Sequence, residues 1–483
     1  MQHSIQLAPG LQISRIITGL WQIADMERHG NILDPLETSV HMKPYADAGL
    51  TSFDMADHYG SSEIIAGTFK NNYNQKDKIK LFTKWVPSPG SISKVDAKEA
   101  VTKALKRMQQ SHIDLMQFHA WHYPDPSWLD GLFYLKEIKE EGLIKHIGVT
   151  NFDTSHLQIA LASGIPIVSN QICHSLIDQR ANKDMANLCK QYGTKILAFG
   201  TLAGGFLTDK WLNQPEPSTS ELSTWSEMKY KRFIDAAGGW EVYQHLLNEV
   251  KQVADKHQVS IANISSRFIL ENPEVASIII GARLGKSEHI TDNKRILSID
   301  LDTEDIQTIQ NAQNRLKPIP GDCGDEYRKP PFLTASGDLS HHLESIPKVF
   351  DIIPISNTKS QIYSGTVWEE FAGYSRAVKE GNCIYVSGTT ATHKAKMIGG
   401  NDPAAQTHFI IDKIEAALES FGGNLTDVVR TRIFVNNIND WEPVARAHGK
   451  RFSGINPANT LVEAKLVGEG YLVEIEAKAI LQS

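Results

Sequence analysis

Cysteine is scarce in this chain of 483 residues. The four that occur, Cys173, Cys189, Cys323 and Cys383, include no CxxC pair. Four scattered thiols are too few for a disulfide framework and lack the paired spacing of a thiolate zinc site. We therefore expect no metal centre, and this low use of cysteine is typical of a protein of the reducing cytoplasm.

Long apolar runs and a surplus of positive charge are absent as well. No run approaches the roughly 18 apolar residues that cross a bilayer, and the first residues, MQHSIQLAPGLQISRI, lack the basic stretch and apolar core of a secretory signal. The 49 Lys and Arg against 56 Asp and Glu leave a formal charge of −7, which argues against a nucleic-acid binder because phosphate contacts need clustered cations. The pattern favours a cytoplasmic protein with no nucleic-acid or membrane partner.

Eight short β-rich runs alternate with amphipathic helical segments over the first 300 residues. Helical segments such as 94–109 and 184–193 place apolar residues near i, i+3 and i+4. Eight β/α units of this length fit a (β/α)8 TIM barrel; a doubly wound open sheet is the competing architecture, but no GxGxxG follows any strand. The runs are IITGLWQIA, TSFDMA, KLFTKW, IDLMQFH, KHIGVTN, PIVSNQIC, KILAFG and VASIIIGA.

A segment rich in Pro, Gly, Ser and Asp separates this barrel from a region of different periodicity. We assign the barrel to residues 1–345, a linker to 346–360 and a smaller α+β domain to 361–483, with GDCGDEYRKPPF as a loop over the barrel. In the second domain, the final runs NTLVEAKL and YLVEIEAKAI alternate apolar and polar residues on either side of the turn VGEG. This pattern predicts an antiparallel hairpin.

Polar residues close three neighbouring strands of the predicted barrel. Asp54, Lys84 and His119 end strands two, three and four, and Tyr59 follows in the loop after strand two. Active sites of such barrels lie at this end, where the βα loops converge. Each residue alone also fits a structural role at a helix entry, on the rim or in the core. Together they form an acid–base set, because an ammonium stabilises a phenolate, a carboxylate holds the ammonium, and an imidazole donates to a carbonyl oxygen.

The motifs FDMADHYGSSEIIAG, LFTKW, IDLMQFH, IGVTNF and SNQI occur in this order within residues 1–300. In sequence and spacing they resemble those of the aldo-keto reductase family. The resemblance implies that Tyr59 is the general acid, that Lys84 and Asp54 tune it, and that His119 orients the carbonyl. It also implies an oxidoreductase, specifically an NADPH-dependent reductase that converts an aldehyde or ketone into an alcohol.

The same resemblance implies a nicotinamide dinucleotide bound across the top of the barrel. Amide side chains after strands five and six suit the carboxamide, and a ring after strand seven suits stacking. A glycine-bearing loop lets backbone amides approach the pyrophosphate, although a plain turn explains these glycines equally well. After strand eight, cationic side chains suit an adenosine 2′-phosphate and favour NADPH, with NADH as the alternative because His289 stands where many members have a second arginine. The candidate cofactor residues are Thr150, Asn151, Gln171, Phe199, Leu202, Gly204, Gly205, Arg283, Lys286, Ser287 and Asn293.

Two further features concern the substrate side. Family members often have Tyr followed by Ser where this chain has Phe199 and Gly200, so stacking is kept and a hydroxyl contact is lost. Aromatic walls favour a ring-bearing or extended apolar carbonyl substrate, although aromatic residues at strand ends also occur as ordinary packing. The candidate pocket residues, besides the GDCGDEYRKPPF loop, are Trp21, Gln22, Trp85, Trp121 and His122.

The motifs GYSRAV, IYVSGTTA, LTDVVRTRIFVNN and NPANTLVEAKL, with YLVEIEAKA, resemble the RidA/YjgF-like family, small α+β domains that form trimers with ligand sites between subunits. The resemblance implies a fusion protein that assembles as a homotrimer, with a ligand site at Tyr374, Gly388, Asn459 and Glu474. Active imine deaminases of this family carry, at the position of Asn459, an arginine that binds a substrate carboxylate. Two alternatives follow: an assembly or ligand-binding module, or a bifunctional enzyme whose tail hydrolyses a neutral imine or enamine while the barrel reduces the carbonyl or imine.

Overall fold

A short antiparallel hairpin, β1 (Ser4–Ala8) and β2 (Leu11–Ser14), opens the computed structural model, which describes residues 2–27, 30–329, 332 and 345–482. Its residues Leu7, Leu11 and Ile13 pack against strand side chains such as Ile17 and Leu197. Because alternate residues of a strand face opposite sides, one set points inward and fills the centre. The hairpin covers this set at the end where the strands start, which leaves the opposite end for the chemistry.

The eight predicted β-rich runs form one closed parallel barrel. Each strand pairs with its neighbour in the chain, and the last strand pairs with the first to close the circle. This confirms the predicted (β/α)8 architecture. The strands are β3 (Ile16–Gly19), β4 (Ser52–Asp54), β5 (Lys80–Trp85), β6 (Ile113–Phe118), β7 (Ile144–Thr150), β8 (Ile167–Cys173), β9 (Lys195–Phe199) and β10 (Val275–Gly281).

Helices connect these strands and surround them. Helix α5 shows the local cause: the Ser93 side chain accepts from the Asp96 backbone, the Asp96 carboxylate accepts in return from the Ser93 backbone, and the helix ends at Gln109 in the left-handed conformation. The barrel helices are α1 (Trp21–Met26), α2 (Pro35–Ser39), α3 (Lys43–Asp47), α4 (Ser62–Asn72), α5 (Lys94–Met108), α6 (Ser127–Glu140), α7 (Thr154–Ala162), α8 (Asp184–Tyr192), α9 (Trp225–Ala236), α10 (Trp240–His257), α11 (Ile261–Ile269), α12 (Ile290–Arg295) and α13 (Thr303–Gln313).

The second domain is a mixed sheet of seven strands with helices on one face, which confirms the predicted α+β class. The sheet order is β11-β12-β13-β14-β19-β17-β18, and two short strands, β15 and β16, pair separately. The strands are β11 (Ile353–Pro354), β12 (Lys359–Ile362), β13 (Ala377–Glu380), β14 (Cys383–Thr390), β15 (Thr392–His393), β16 (Lys396–Met397), β17 (Val428–Val435), β18 (Ala458–Glu463) and β19 (Val473–Ile480). The helices are α14 (Val367–Ala372), α15 (Pro403–Ser420) and α16 (Trp441–Arg451).

The predicted hairpin of the last two strands is wrong. Strand β18 pairs in parallel with β17, whereas β19 pairs antiparallel with β17 and with β14, so β17 lies between the two supposed partners. Residues 464–472 connect β18 to β19, a segment long enough to pass a strand. The turn residues VGEG therefore mark a crossing between non-neighbouring strands, because strand order depends on contacts far apart in the chain.

Part of the predicted linker 346–360 lies in this sheet. Strand β11 pairs with β12, and β12 pairs with β13, all antiparallel. The sheet of the second domain thus begins several residues before 361, the position at which composition predicts the start of that domain. The end of the predicted barrel domain and part of the GDCGDEYRKPPF loop fall at 330–331 and 333–344, outside the described residues.

The two domains pack through helices α7 and α15. His156 on α7 is buried between two carboxylates: its Nδ1 lies 2.7 Å from Asp153, and its Nε2 lies 3.1 Å from Asp412 on α15. Arg451 on α16 also pairs with Asp412, and it pairs with Glu415 at 2.7 Å. Burial disfavours the charged forms of His156 and Asp412, but the attraction of the oppositely charged groups beside them is stronger. The pKa of His156 is therefore raised and that of Asp412 is lowered. A charged network therefore crosses the domain interface.

Neither a membrane-spanning helix nor a metal cluster occurs among the described residues. None of the helices formed by these residues has the length and apolarity that a membrane crossing requires. Within the same residues, no group of three or more His, Cys, Asp or Glu side chains is arranged to hold a metal ion.

Candidate active site

The four predicted catalytic residues lie together at the carboxyl end of the barrel. Lys84 Nζ donates to Asp54 Oδ2 at 2.5 Å and to the Met55 carbonyl at 2.8 Å, and both side chains are buried. The same ammonium lies 4.9 Å from the centre of the Tyr59 ring. Burial lowers the pKa of Lys84, and the adjacent Asp54 opposes this by favouring the charged form. The carboxylate thus holds the lysine beside the phenol.

Two amides hold the other oxygen of Asp54. Gln117 Nε2 donates to Asp54 Oδ1 at 3.0 Å, and Gln171 Nε2 donates to the same atom at 2.7 Å and to Gln117 Oε1 at 3.0 Å. The sequence predicts Gln171 as a cofactor ligand; its amide nitrogen donates to Asp54 and Gln117, and the residue lines the cavity. Gln117 was not predicted, although it lies two residues before His119 on β6, and alternate residues of a strand face the same side.

Tyr59 and His119 face the cavity from loops that follow β4 and β6. The Tyr59 ring packs edge-on against Trp21, with ring centres 4.9 Å apart. His119 Nδ1 lies 3.3 Å from the Thr150 carbonyl oxygen, which orients the imidazole. Its ring also meets Trp121 edge-on at 4.4 Å. Aromatic packing, together with the Thr150 carbonyl, therefore holds both side chains at the cavity.

A cavity of about 760 Å³ opens at this end of the barrel. It contains the four predicted catalytic residues and reaches the loops after strands β7 to β10. Its volume suits a dinucleotide together with a small substrate. The predicted cofactor and pocket residues that line it are Trp21, Gln22, Thr150, Asn151, Gln171, Phe199, Leu202, Gly204, Gly205, Arg283 and Ser287.

Five predicted site residues do not line this cavity. Trp85 follows Lys84 on β5 and therefore faces the other side, where it packs against Phe118 at 5.4 Å. His122 Nε2 pairs with Glu419 of the second domain at 2.8 Å. The other three are Trp121, whose ring packs edge-on against His119, and Lys286 and Asn293, which belong to the exposed segment around α12.

Asn151 carries an acceptor atom that suits a ligand of the cavity. Its Oδ1 is buried and has no hydrogen-bond partner among the described residues. A buried amide oxygen without a donor costs free energy, and an oxygen of this kind matches the NH2 group of a nicotinamide carboxamide. On the same wall, Gly204 has a φ of +66° and a Cβ there would lie 2.8 Å from the Ser226 carbonyl, so a side chain is excluded where backbone must come close. These residues fit a nicotinamide dinucleotide.

Tyr230 explains why glycine follows Phe199. Gly200 has a φ of +74°, and a Cβ at this position would lie 2.2 Å from Tyr230 Oη. A serine here would collide with the tyrosine, so the phenol from α9 occupies the space of the hydroxyl that the family resemblance implies. The sequence contains both residues but shows no link between them, because they lie 30 positions apart.

Arg283 is held by acidic and polar groups of α1. Its Nη2 lies 3.3 Å from Asp25 Oδ2, and its Nε donates to Gln22 Oε1 at 3.2 Å. The side chain remains 45% exposed. A phosphate bound there would have to compete with Asp25 for the guanidinium.

One wall of the cavity was not predicted. It comes from α9 and the segment before it, whereas Tyr327 reaches the cavity from the GDCGDEYRKPPF loop that the sequence predicts. The residues of the unpredicted wall include Thr208, Lys210, Trp211, Ser223, Thr224, Ser226, Glu227, Lys229 and Tyr230. In the sequence α9 resembles an ordinary amphipathic surface helix, so no local signal marks these residues.

The loop that supplies Tyr327 is fixed from both domains. Arg328 Nη1 donates to the Asn151 carbonyl at 2.7 Å, and Arg328 Nε donates to the Ala120 carbonyl at 2.8 Å. From the second domain, Lys450 Nζ donates to Asp322 Oδ2 at 2.8 Å. The loop therefore links the residues that follow His119 and Thr150 to helix α16.

In the second domain, the structure brings together only part of the predicted ligand site. A Cβ on Gly388 would lie 2.0 Å from Glu474 Oε1, so this carboxylate packs directly over glycine backbone. Burial raises the pKa of Glu474, and Arg376, which donates to the Gly388 carbonyl at 2.8 Å, opposes the shift. Tyr374 precedes this arginine by two residues and is half-buried.

Asn459 does not join this group within one chain. Its Nδ2 donates to Thr431 Oγ1 at 2.9 Å, on the face of the sheet covered by α16. Glu474 lies opposite Phe434 on β17, three positions from Thr431, and therefore projects from the other face. The prediction of a single site containing both residues is thus not met inside one subunit.

Comparison with known proteins agrees with the barrel fold. The model of the aldo/keto reductase family matches residues 15–314. The chain belongs to the aldo/keto reductase family. A second family model, described as endoribonuclease L-PSP, matches residues 368–481, and this is the RidA/YjgF group that the tail resembles.

Relatives of this aldo/keto reductase match one domain each. Aldo-keto reductase YhdN of Bacillus subtilis is 25% identical over 68% of this chain and 98% of its own length. The solved glycerol dehydrogenase of Gluconobacter oxydans is 22% identical over 66% of this chain and 98% of its own, with a TM-score of 0.54, which shows the shared fold. For the tail, an uncharacterized protein of Streptomyces coelicolor is 33% identical over 26% of this chain and 93% of its own length.

Proposed function

We propose that this aldo/keto reductase is a cytoplasmic, NADPH-dependent enzyme that reduces an aldehyde or ketone to an alcohol. The observation that carries the proposal is the buried Asp54–Lys84 pair beside the Tyr59 phenol. When bound, the nicotinamide dinucleotide supplies the hydride. Tyr59 gives a proton to the carbonyl oxygen, and Lys84 stabilises the phenolate that remains. His119 orients the same oxygen as negative charge develops on it.

The residues along the cavity support the cofactor proposal. Asn151, with its buried and unsatisfied Oδ1, would bind the carboxamide, and Phe199 would stack on the nicotinamide ring. The backbone around Gly204 and Gly205 would face the pyrophosphate. Asp54 and Gln117 hold Lys84 in place, and Gln171, whose Nε2 donates to Asp54, also lines the cavity and stays a proposed cofactor contact.

The test is direct reduction by the purified full-length protein. We expect NADPH oxidation, followed by loss of absorbance, with members of a panel of aromatic and aliphatic aldehydes and ketones, and formation of the matching alcohol. Complete failure to reduce any member of such a panel would refute the proposed function.

Replacing Arg283 by alanine is expected to weaken the binding of NADPH much more than the binding of NADH. A guanidinium forms charge-assisted hydrogen bonds with a phosphate that are worth about 1.5–3 kcal/mol each. The KM for NADPH should therefore rise by about tenfold or more, while the KM for NADH stays within about twofold. Steady-state kinetics with each cofactor measure this, and Arg446→Ala, at an exposed residue of α16, is the matched control. Equal loss with both cofactors would exclude a phosphate role for Arg283.

For the second domain we propose assembly into a homotrimer whose ligand site combines residues of neighbouring subunits. The exposed side chains Tyr385, Val429 and Val462 support this, because they leave apolar surface on the sheet. So does the separation of Asn459 from Glu474 within one chain.

The assembly and hydrolysis roles of this domain are separable by experiment. We expect multi-angle light scattering of the full chain to give the mass of three chains. If the domain also hydrolyses neutral imines or enamines, Glu474→Ala should abolish ammonia release and leave the mass unchanged, since Glu474 would position the water. A monomeric mass would refute the assembly role, and ammonia release that is equal in wild type and Glu474→Ala would refute hydrolysis by this residue.

A further inference from the structure

A buried ammonium group lies in the cavity wall, apart from the four catalytic side chains. Lys229 on α9 lines the cavity and is only 4% exposed. Its Nζ donates to Tyr327 Oη at 2.6 Å and lies 5.1 Å from the centre of the Phe199 ring. Lysine is rarely buried to this extent without a charged partner, because removing an ammonium from water is costly.

The described part of the chain provides no such partner in contact with Lys229. Among these residues, no carboxylate oxygen lies within 4.0 Å of its Nζ. The nearby Glu326 pairs with Arg180 at 2.9 Å instead. Burial alone lowers the pKa of Lys229, but Tyr327 and Glu326 outweigh it and hold the pKa above its ordinary value. The group is therefore a charged donor at the cavity wall, and the bond to Tyr327 uses one of its three N–H groups.

Tyr327 connects this ammonium to the catalytic imidazole. The Tyr327 ring lies 5.9 Å from the His119 ring, and its hydroxyl lies at Lys229. One aromatic side chain thus spans the distance between the two groups. A substrate whose carbonyl oxygen is held by Tyr59 and His119 would reach Lys229 across about the length of one ring or a short alkyl chain.

We propose that Lys229, with Tyr327, forms a subsite for a carboxylate of the substrate. The preferred substrates are then aldehydes or ketones that carry an acid group about one ring length from the carbonyl. A carboxylate supplies the direct counter-ion that the described residues do not give Lys229, and the rings of Phe199 and Tyr230 exclude water and strengthen the pair. The subsite rests on the proposed reductase function, since it assumes a carbonyl held by Tyr59 and His119.

The test compares an acid with its neutral ester in the full-length protein with NADPH. We expect kcat/KM for 4-carboxybenzaldehyde to exceed that for methyl 4-formylbenzoate by about tenfold or more, mainly through KM, because a charge-assisted pair is lost in the ester. Lys229→Met should lower kcat/KM for the acid by about tenfold or more and change that for the ester by less than about twofold. Lys231→Met, on the same helix, paired with Glu216 and Asp235 and outside the cavity, should keep the preference for the acid.

Two results would overturn the subsite. One is equal kcat/KM for acid and ester in the wild type, and the other is an equal loss for both compounds in Lys229→Met. If Lys229→Met does not fold, benzoate and benzamide are compared as inhibitors of the wild type and of Tyr327→Phe. Benzoate should inhibit the wild type competitively and the variant less, and failure of benzoate to inhibit more strongly than benzamide overturns the subsite. Failure to reduce any carbonyl compound counts against the proposed function instead, and benzoate binding then still tests the subsite.

Discussion

Replacing Tyr59 by phenylalanine is expected to lower kcat for carbonyl reduction by about 10²- to 10⁴-fold, the range of general-acid catalysis. The change removes only the hydroxyl that would protonate the carbonyl oxygen. The ring keeps its packing against Trp21, and Asp54 keeps its ion pair with Lys84. NADPH binding, measured by fluorescence titration, should therefore stay within about twofold, so that the loss falls on kcat.

Tyr73→Phe is the matched control for this experiment. Its hydroxyl donates to Asp47 at 3.0 Å on the outside of the barrel, away from the cavity. This variant should reduce the same substrates at the wild-type rate. A Tyr59→Phe enzyme that remained as active as the control would show that another group supplies the proton.

Replacing Asp412 by alanine should cost about 3–5 kcal/mol of stability, the usual consequence of removing one member of a buried charged network. His156 and Arg451 both contact this carboxylate, and Asp412 itself is fully buried. Their positive charges would lose a partner in a place that water does not reach. Urea denaturation followed by circular dichroism should show the midpoint of unfolding at a clearly lower concentration.

Lys394→Ala separates this effect from a general loosening of the domain interface. Lys394 also bridges the domains, through Asp130 at 2.8 Å, but its side chain is 62% exposed. An exposed pair contributes about 0–1 kcal/mol, so this variant should unfold close to the wild type. Equal destabilisation by both substitutions would contradict a special role for the buried network.

The same network predicts the direction of a pH effect. Folding raises the pKa of His156, so its contribution is fully present below the unfolded value of about 6.5 and is lost as pH rises through the raised pKa. The stability difference between the wild type and His156→Gln should therefore shrink on going from pH 6 to pH 9. A difference that grew over this range would mean that His156 is neutral in the folded protein.

Much of the barrel, and the meeting of the four predicted catalytic residues at one rim, was predictable because the signals are local. Each strand is a short β-rich run between helical segments. Asp54, Lys84 and His119 each close such a run, and barrel topology brings the ends of these runs to one rim. The order of β17, β18 and β19 was not predictable in this way. The chain around VGEG has the composition of a hairpin turn, and only contacts between distant residues place β17 between the two strands.

The missed wall of the cavity has a similar cause. Lys229 and Tyr230 lie on a helix whose sequence is typical of a solvent-exposed element, and its docking over Phe199 and Gly200 buries both. Trp85 shows the opposite case. It follows Lys84 in the chain, but the alternation of side chains along β5 points it into the core. In each case the deciding information is the direction in which a side chain points, which composition does not contain.

The contact between Lys450 and Asp322 also has a consequence for the order of events during synthesis. The barrel strands leave the ribosome well before helix α16 does, because chains are made from the amino terminus. The loop that carries Tyr327 receives this contact from a residue 128 positions later in the chain. A newly made barrel therefore lacks this contact to its Tyr327 loop until the second domain has been synthesised. A chain whose synthesis stops before α16 does not form the contact.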